Sequence, residues 1–438
     1  MDYTRRGFLK VAGLGVATTA LSHAAGLAQA RRAGGRRPNL ILIMADDLGY
    51  ECLGCYGSTS YRTPVLDELA RTGMRFDHCY SQPLCTPSRV QIMTGQYNFR
   101  NYLDFGILDR KETTFGHVLK RAGYATCVVG KWQLFGRGNN KPGIAGRGTA
   151  PKQAGFDEHC LWQVDRRESR YRDPVIVENG TYRDDLKGKY GPDIFCEYAL
   201  DFIERKKDVP FLLYFPMALV HSPFVPTPDS PEWTEGKEKA NKKHFADMVA
   251  YMDKIVGQIV AKLDECNLRE NTLILFTGDN GTGRGIQSKL GDRIVAGGKG
   301  QTNDAGTHVP LVANWKATMP AGRVCDDLID FTDFLPTLAE AAQTSLPSGL
   351  TVDGRSFLPQ LRGQKGNPRE WIFCHYFRNA GNPPKRFARD KRWKLYQSGA
   401  LFDLRADPLE NRPIPPTGGD AQAEAARARL QVVLDSLR

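Results

Sequence analysis

Asn39-Leu40-Ile41-Leu42-Ile43-Met44, followed by Ala45-Asp46-Asp47, is the stretch from which the fold of this chain is read. A nearly continuous apolar run is what a strand buried on both sides requires, because helices cover both faces of a parallel sheet. Asp46 and Asp47 then stand just past its carboxyl end. Three more strands are predicted on the same pattern: Ala125 to Val129, Phe211 to Phe215 and Thr272 to Phe276. They end in Gly130-Lys131-Trp132-Gln133, in His221-Ser222-Pro223 and in Gly278-Asp279-Asn280-Gly281. Helical patterns alternate with them. Thr63-Pro64 opens one that runs through Leu66, Leu69 and Ala70 to Gly73, with Thr63 expected as its cap, and others fall near 115–122 and 245–263. The alternation predicts an α/β fold, a mostly parallel central sheet flanked by helices. Each strand delivers polar residues at its carboxyl end, the edge where open α/β sheets bind ligands, so one composite site is expected there.

The residue types at that edge suggest its chemistry. Asp46, Asp47, Asp279 and Asn280 are hard oxygen donors, and no Cys or His pair stands at zinc spacing. With an oxygen on residue 85 they suit Ca²⁺, with Mg²⁺ second. Either motif alone also reads as a solvated turn. In Cys85-Thr86-Pro87-Ser88-Arg89, Thr86 and Pro87 form a helix-start signal that places Cys85 just before a helix N-terminus. Free N–H groups and the helix dipole favour negative charge there, and Arg89 adds a cation with a donor fork suited to a tetrahedral oxyanion. Cys85 is thus expected to be an activated nucleophile facing an anion, the alternative being a buried cysteine beside a capped helix.

Cys85-x-Pro87-x-Arg89 resembles the signature of type I, formylglycine-dependent sulfatases of the alkaline-phosphatase-like superfamily, and the resemblance runs from Pro38 to about Asn411. It implies that Cys85 is oxidised by a formylglycine-generating maturation enzyme and that the hydrated aldehyde is the nucleophile. It also implies metal ligation by Asp46, Asp47, Cys85, Asp279 and Asn280. Lys131 matches the family's Gly-Lys-Trp, His221 the His after a Phe-Leu-Leu-Tyr strand, and Lys299 the Lys of Gly-Gly-Lys-Gly. The implied catalytic set is therefore Cys85, Arg89, Lys131, His221 and Lys299. Lys131, Lys299 and Arg89 stabilise sulfate oxygens, and His221 with Lys299 protonates the leaving oxygen. Three positions depart from the pattern. Gln133 stands where the family usually has His, leaving a substrate-binding role and no proton to accept; Gln96 stands in place of Arg in Thr94-Gly95-Gln96; and Asp304-Ala305-Gly306-Thr307-His308 replaces Glu-Gly-Gly-x-Arg. The implied activity is sulfate-ester hydrolysis on a sulfated carbohydrate. Two alternatives are a related phosphodiester or phosphonate monoester hydrolase and a non-catalytic sulfoglycan-binding relative.

The whole chain is consistent with that activity. At 438 residues, 41% hydrophobic and 25% charged, it has the composition of a globular protein able to bury a large core. Its net charge of +11 attracts polyanions, and with no nucleic-acid-binding motif an acidic glycan is the expected partner. Residues 1–30 read as a twin-arginine signal peptide, with Arg5-Arg6, a weakly apolar run that includes His23, and Ala28-Gln29-Ala30 before the cleavage point. The Tat export machinery, a periplasmic or secreted location and no lasting membrane span are expected. Residues 31–37 form a basic leader, 38–345 the catalytic domain, and 346–438 a smaller C-terminal α+β subdomain built on an antiparallel sheet. Substrate is expected to be read by loops at 137–155 and 165–190. The basic residues His375, Arg378, Arg386 and Lys394 are expected on solvated surface, the alternative being that they face the substrate. The ten cysteines are too scattered for a disulfide framework, and Cys52-x-x-Cys55 reads as structural.

Overall fold

Strand β1 (Asn39–Ala45) is buried along its whole length because it has a parallel neighbour on each side and packed helices above and below. The computed structural model describes residues 36–136, 142–234, 239–417 and 419–437. Along the chain follow β2 (Met74–Tyr80), β3 (Ala125–Lys131), β4 (Glu158–Trp162), β5 (Ile176–Glu178), β6 (Thr181–Tyr182), β7 (Phe211–Pro216) and β8 (Thr272–Gly278). A hairpin β9 (Gln287–Leu290) and β10 (Arg293–Ala296) stands apart, and β11 (His308–Asn314) and β12 (Arg323–Asp330) return to the sheet. The order across the large sheet is β12-β2-β11-β8-β1-β7-β3-β4-β5-β6. Its middle, β8-β1-β7-β3-β4, is parallel, while β11 runs against β2 and β8, and β5 against β4 and β6.

The period of two along β1 sends alternate side chains into two cores. Ile41 and Ile43 pack in one with Phe195 and Phe202 of the helix Gly191–Arg205 and Met248, Met252 and Ile255 of the helix Phe245–Glu265. Leu40, Leu42 and Met44 enter the other with Val90 and Met93 of the helix Cys85–Thr94, Phe115 and Leu119 of the helix Phe115–Arg121, and Phe334. Truncating Ile43 to Ala would cost about 2–5 kcal/mol through lost transfer energy and the cavity left behind.

Strands β13 (Ile372–Tyr376), β14 (Lys385–Arg389), β15 (Trp393–Tyr396) and β16 (Leu401–Asp403) form a separate antiparallel sheet. The helix Ala421–Ser436 lays Ala426, Leu430, Val433 and Leu434 against Phe373, Ala388 and Leu395 of that sheet.

Several local expectations are corrected. Thr63 does not cap the helix Pro64–Arg71; Asp253, on another helix, accepts the Val65 and Leu66 N–H groups at 2.9 Å each. Thr63 instead bonds Gly54 N and Asp67. The region 165–190 is not all loop, since β5 and β6 form a hairpin inside it. Lys394 is fully buried, donating to the Thr302 carbonyl (2.6 Å) and pairing with Glu410 (2.9 Å). Arg386 is half-buried and donates to the Leu434 and Leu437 carbonyls, and His375 lies against Phe99 and Phe377. All ten cysteines are free thiols. Among the described residues no helix is long and apolar enough to cross a membrane. The signal-peptide reading of 1–30 and most of the 31–37 leader fall outside the described residues.

Candidate active site

The carboxyl edge of the parallel strands gathers the predicted residues. Asp46 and Asp47 leave β1, with Asp47 in the left-handed region at φ 62°. Its backbone N–H donates to Asp279 Oδ1 (3.0 Å), and Asn280 Nδ2 donates to Asp47 Oδ1 (2.9 Å) and to the Gly281 carbonyl (3.0 Å). The ends of β1 and β8 are thus tied side by side. Lys131, the last residue of β3, is 1% exposed and reaches Asp46 Oδ2 at 2.7 Å. Lys299 pairs with Asp47 Oδ2 at 2.5 Å, and His221 Nε2 stands 3.7 Å from the same oxygen.

Cys85 is the first residue of the helix Cys85–Thr94, not the residue before it, and no side chain caps that helix. Thr86 Oγ1 instead accepts the Gly106 N–H (3.1 Å) and donates to Gln133 Oε1 (3.4 Å). The surroundings do not favour ionisation of the thiol itself. Burial pushes the Cys85 thiol up, and Asp46 and Asp279 add to this against the pull of Lys131 and Lys299. As a thiol, residue 85 is held protonated. Arg89 lies beneath it, donating to the Lys131 carbonyl (2.9 Å) and Asp279 Oδ2 (3.1 Å), and so locks the ends of β3 and β8 to the helix.

The donor set fits a hard cation. Asp46 Oδ1 and Asn280 Oδ1 are buried without a hydrogen-bond partner, and ligand atoms of Asp46, Cys85 and Asp279 all lie within 4.8 Å of one another. Orphaned buried oxygens are costly unless something positive satisfies them, and a set dominated by oxygen, with the Cys85 sulfur as its exception, suits Ca²⁺ or Mg²⁺. Charge on the carboxyl groups is set by their neighbours. Burial alone would raise the pKa of Asp46, but Lys131, His221, Arg89 and Lys299 overcome it and hold the carboxylate well below its usual range. Asp279 is pushed up to about 7 by burial and by the charge of Asp46, which Arg89 and Lys131 offset only partly. His221 is lowered to about 4, its burial outweighing Asp47 and Asp46.

These groups floor a cavity of about 770 Å³ lined by Asp47, Cys85, Lys131, Gln133, His221 and Lys299. Gln133, at φ 59° and 8% exposed, gives its Oε1 to Thr86 and so leaves Nε2 toward donation. The departure at 304–308 has a structural reason. His308 Nδ1 bonds Asp304 Oδ2 at 3.0 Å, and Arg389 of β14 reaches the other oxygen, so the segment braces the C-terminal sheet. Trp162, Arg167, Arg170, Phe105, Tyr376 and Arg378 also line the cavity, and Arg378 is therefore not plain solvated surface. Arg167 and Arg170 fall in the segment 165–190 expected to read substrate, whereas sequence reasoning missed Trp162, Phe105 and Tyr376. The signal for Trp162 was the run Glu158-His159-Cys160-Leu161-Trp162, another strand whose end reaches the same edge.

Comparison with known proteins agrees with this geometry. The family model described as Sulfatase matches residues 38–344, and one described as N-sulphoglucosamine sulphohydrolase, C-terminal, matches residues 299–438. Human arylsulfatase A is 31% identical, over 81% of this chain and 73% of its own. Dog N-acetylgalactosamine-6-sulfatase is also 31% identical, over 74% of this chain and 66% of its own. A solved structure from work on the metabolism of multiple glycosaminoglycans by Bacteroides thetaiotaomicron superposes with TM-score 0.74 and 25% identity, covering 92% of this chain and 99% of that one.

Proposed function

This chain belongs to the sulfatase family, enzymes that hydrolyse sulfuric esters, and on that premise we propose that its substrate is a sulfated carbohydrate, its nucleophile a formylglycine made from Cys85 and its cation Ca²⁺. The observation that carries this reading is a buried Cys85 set beside the orphaned oxygens of Asp46 and Asn280 at the floor of a large cavity. The net charge of +11 and the names of relatives that act on N-acetylgalactosamine 6-sulfate or belong to glycosaminoglycan metabolism support an acidic glycan.

Asp46, Asp47, Asp279 and Asn280 would hold the cation together with residue 85. The cation would supply fixed positive charge for the sulfate oxygens and acidify the attacking hydroxyl. Formylglycine would supply, as its hydrate, one hydroxyl to attack sulfur and a second to expel sulfate afterwards. Lys131 and Lys299 present ammonium groups to the cavity and stabilise the non-bridging oxygens where charge develops. Gln133 Nε2 donates to a substrate oxygen and moves no proton. Arg89 acts through the strand ends that it fixes. For the leaving oxygen Lys299 is the better acid. His221 Nδ1 donates to the Ser222 carbonyl at 2.6 Å, so the neutral ring keeps a lone pair on Nε2, and its lowered pKa keeps it neutral near pH 7. Burial works against the charge of Lys299, but Asp47, through charge and a hydrogen bond, and Asp46 keep it protonated.

The twin-arginine signal fits this chemistry, since a chain exported folded has its cysteine oxidised in the cytoplasm first and then acts in the periplasm or outside the cell. Residues 38–345 would carry catalysis, and 346–438 would close one wall of the cavity through Tyr376 and Arg378. The test is sulfate release from a panel of sulfated mono- and polysaccharides by protein co-expressed with a formylglycine-generating enzyme, run beside aryl phosphodiesters and phosphonates. We expect release that disappears with EDTA and returns with Ca²⁺. Faster turnover of the phosphorus esters, or binding of sulfated glycans without release, would overturn the reading.

A further inference from the structure

Beyond the sulfate-cleaving floor, the cavity walls carry four arginines, Arg167, Arg170, Arg284 and Arg378, against a single lining carboxylate, Asp47, which already pairs with Lys299. Among the described residues none of the four has a carboxylate at ion-pair distance. Arg284 donates Nε to the Lys299 carbonyl at 2.8 Å, and Arg378 lies over the Phe105 ring with its guanidinium carbon 5.5 Å from the centroid. Arg170 differs from them. It is only 6% exposed, its guanidinium carbon sits 4.2 Å from the Trp162 ring centroid, and Nη1 is buried with no hydrogen-bond partner. Arg167, exposed in the same wall, is lowered in pKa by burial and then by the charge of Arg170. Two guanidinium groups three residues apart, on the segment that follows β4, thus line one cavity whose single lining carboxylate is Asp47.

Such an arrangement has an electrostatic cost that only an arriving anion removes. A buried, unsatisfied Arg donor is unfavourable, and like charges in a partly water-excluded wall repel. Guanidinium groups bind sulfate and carboxylate through paired N–H donors, and both face a cavity already committed to an anionic ester. We infer that the substrate carries a second anionic group, a sulfate or a carboxylate, which binds between Arg167 and Arg170 while its scissile sulfate sits at residue 85. The inference rests on the sulfatase reading above and narrows its substrate from any sulfated carbohydrate to a sugar unit bearing two negative groups. A simple aryl sulfate fills only the floor of the cavity and is a poor substrate on this account.

The test separates this inference from the reading beneath it. The full-length chain with Cys85→Ala, which cannot turn over, is titrated calorimetrically in Ca²⁺ with three classes of probe: monosulfated neutral sugars, their disulfated counterparts and sulfated uronates. We expect the two-charge probes to bind at least roughly tenfold more tightly than the one-charge probes, the worth of about one charge-assisted contact. Whichever of the disulfated sugar and the sulfated uronate shows the preference identifies the second group. Arg170→Gln and Arg167→Gln, added separately, are each expected to cut that preference severalfold, and Arg170→Lys to keep part of it. Arg167 is exposed, so its variant folds even if loss of Arg170 disturbs the wall against Trp162. No preference in the parent protein, or a preference unchanged in both Gln variants, overturns the inference. Preference without sulfate release by matured protein would leave this anion site standing and remove the sulfatase reading; release without preference would do the reverse.

Discussion

The helix Cys85–Thr94 touches two buried charge clusters of opposite character. On one side Arg89 reaches Asp279 in the cluster of Asp46, Asp47, Asn280 and Lys131, where Asp46 Oδ1, Asn280 Oδ1 and Arg89 Nε are left without partners. On the other, Gln91 donates to Asp330 Oδ1 (2.7 Å) in a cluster with Asp333 and Arg369. There Arg369 Nε donates to Asp333, Nη1 to Tyr97 Oη, and Nη2 to Thr332 and the Asp353 carbonyl. No side-chain atom of Asp330, Thr332, Asp333 or Arg369 is orphaned. Both clusters remove similar charges from water, and only one is closed by its own residues. A buried network that is fully satisfied specifies structure, whereas one with unpaired oxygens beside a cavity is arranged for something that arrives.

The contrast is broken most directly at residue 85. Cys85→Ala is expected to lower turnover of sulfate esters roughly 10⁴-fold or more while leaving the melting temperature unchanged, because the side chain that matters is chemical and not packing. Steady-state kinetics beside calorimetry checks both halves. Arg369→Met should do the opposite. Uncompensated carboxylates would remain in the closed cluster, so chemical denaturation should register a loss of about 3–5 kcal/mol, with kcat unaltered well below the lowered melting point. If Arg369→Met instead abolished turnover of folded protein, the two clusters would not be separable.

Smaller effects sharpen the same division. Lys299→Met is expected to reduce kcat by roughly 10²–10³-fold through loss of a preorganised cation and proton donor, with the larger loss on substrates whose leaving alcohols are least acidic. Equal losses on aryl and alkyl esters would assign the acid elsewhere. Saturating Ca²⁺ should raise stability by about 2.7 kcal/mol at a hundredfold excess over its Kd, and the gain should vanish in Asp46→Asn but persist in Arg369→Met. A thermal-shift titration of both variants decides this. Least of all, Asp330 is pushed up to about 6 by burial and by Asp333, which Arg369 only partly offsets. The native state then holds a proton that the unfolded chain has released, so stability is full below pH 4 and falls as pH rises through 6, by on the order of 3 kcal/mol. Asp330→Asn keeps the Oδ1 acceptor for Gln91 and Thr332, and should flatten that fall in denaturation curves taken across this range.

The sequence and the structure agree most closely where a local pattern had one physical solution. Strands β1, β7 and β8 are apolar runs that nothing but a doubly covered sheet accommodates, and the polar residues at their ends converge on one edge as expected. Strands β2 and β12 were not legible, because Arg75, Asp77 and His78 in one and Asp326 and Asp327 in the other hide the apolar alternation. Arg75 pairs with Asp77 within β2 at 2.9 Å, but Asp326 is matched only by distant partners, His78 and Lys391. Capping failed for a related reason. Asp253 is 188 residues from the Val65 N–H that it accepts, and no window around Thr63 contains it. At Cys85 the helix start favours negative charge, but burial, with Asp46 and Asp279 beside it, pushes the thiol up, and none of these is visible in the local sequence. Lys394 shows the same limit, since its partner Glu410 becomes visible only when the C-terminal sheet is assembled.

The most direct measurement is peptide mass spectrometry of the tryptic fragment containing residue 85, read against kcat for a sulfate ester across preparations matured to different extents. The account predicts that turnover rises in proportion to the fraction of residue 85 present as formylglycine and reaches zero when all of it is thiol. Full turnover in a preparation whose Cys85 is entirely thiol would contradict it.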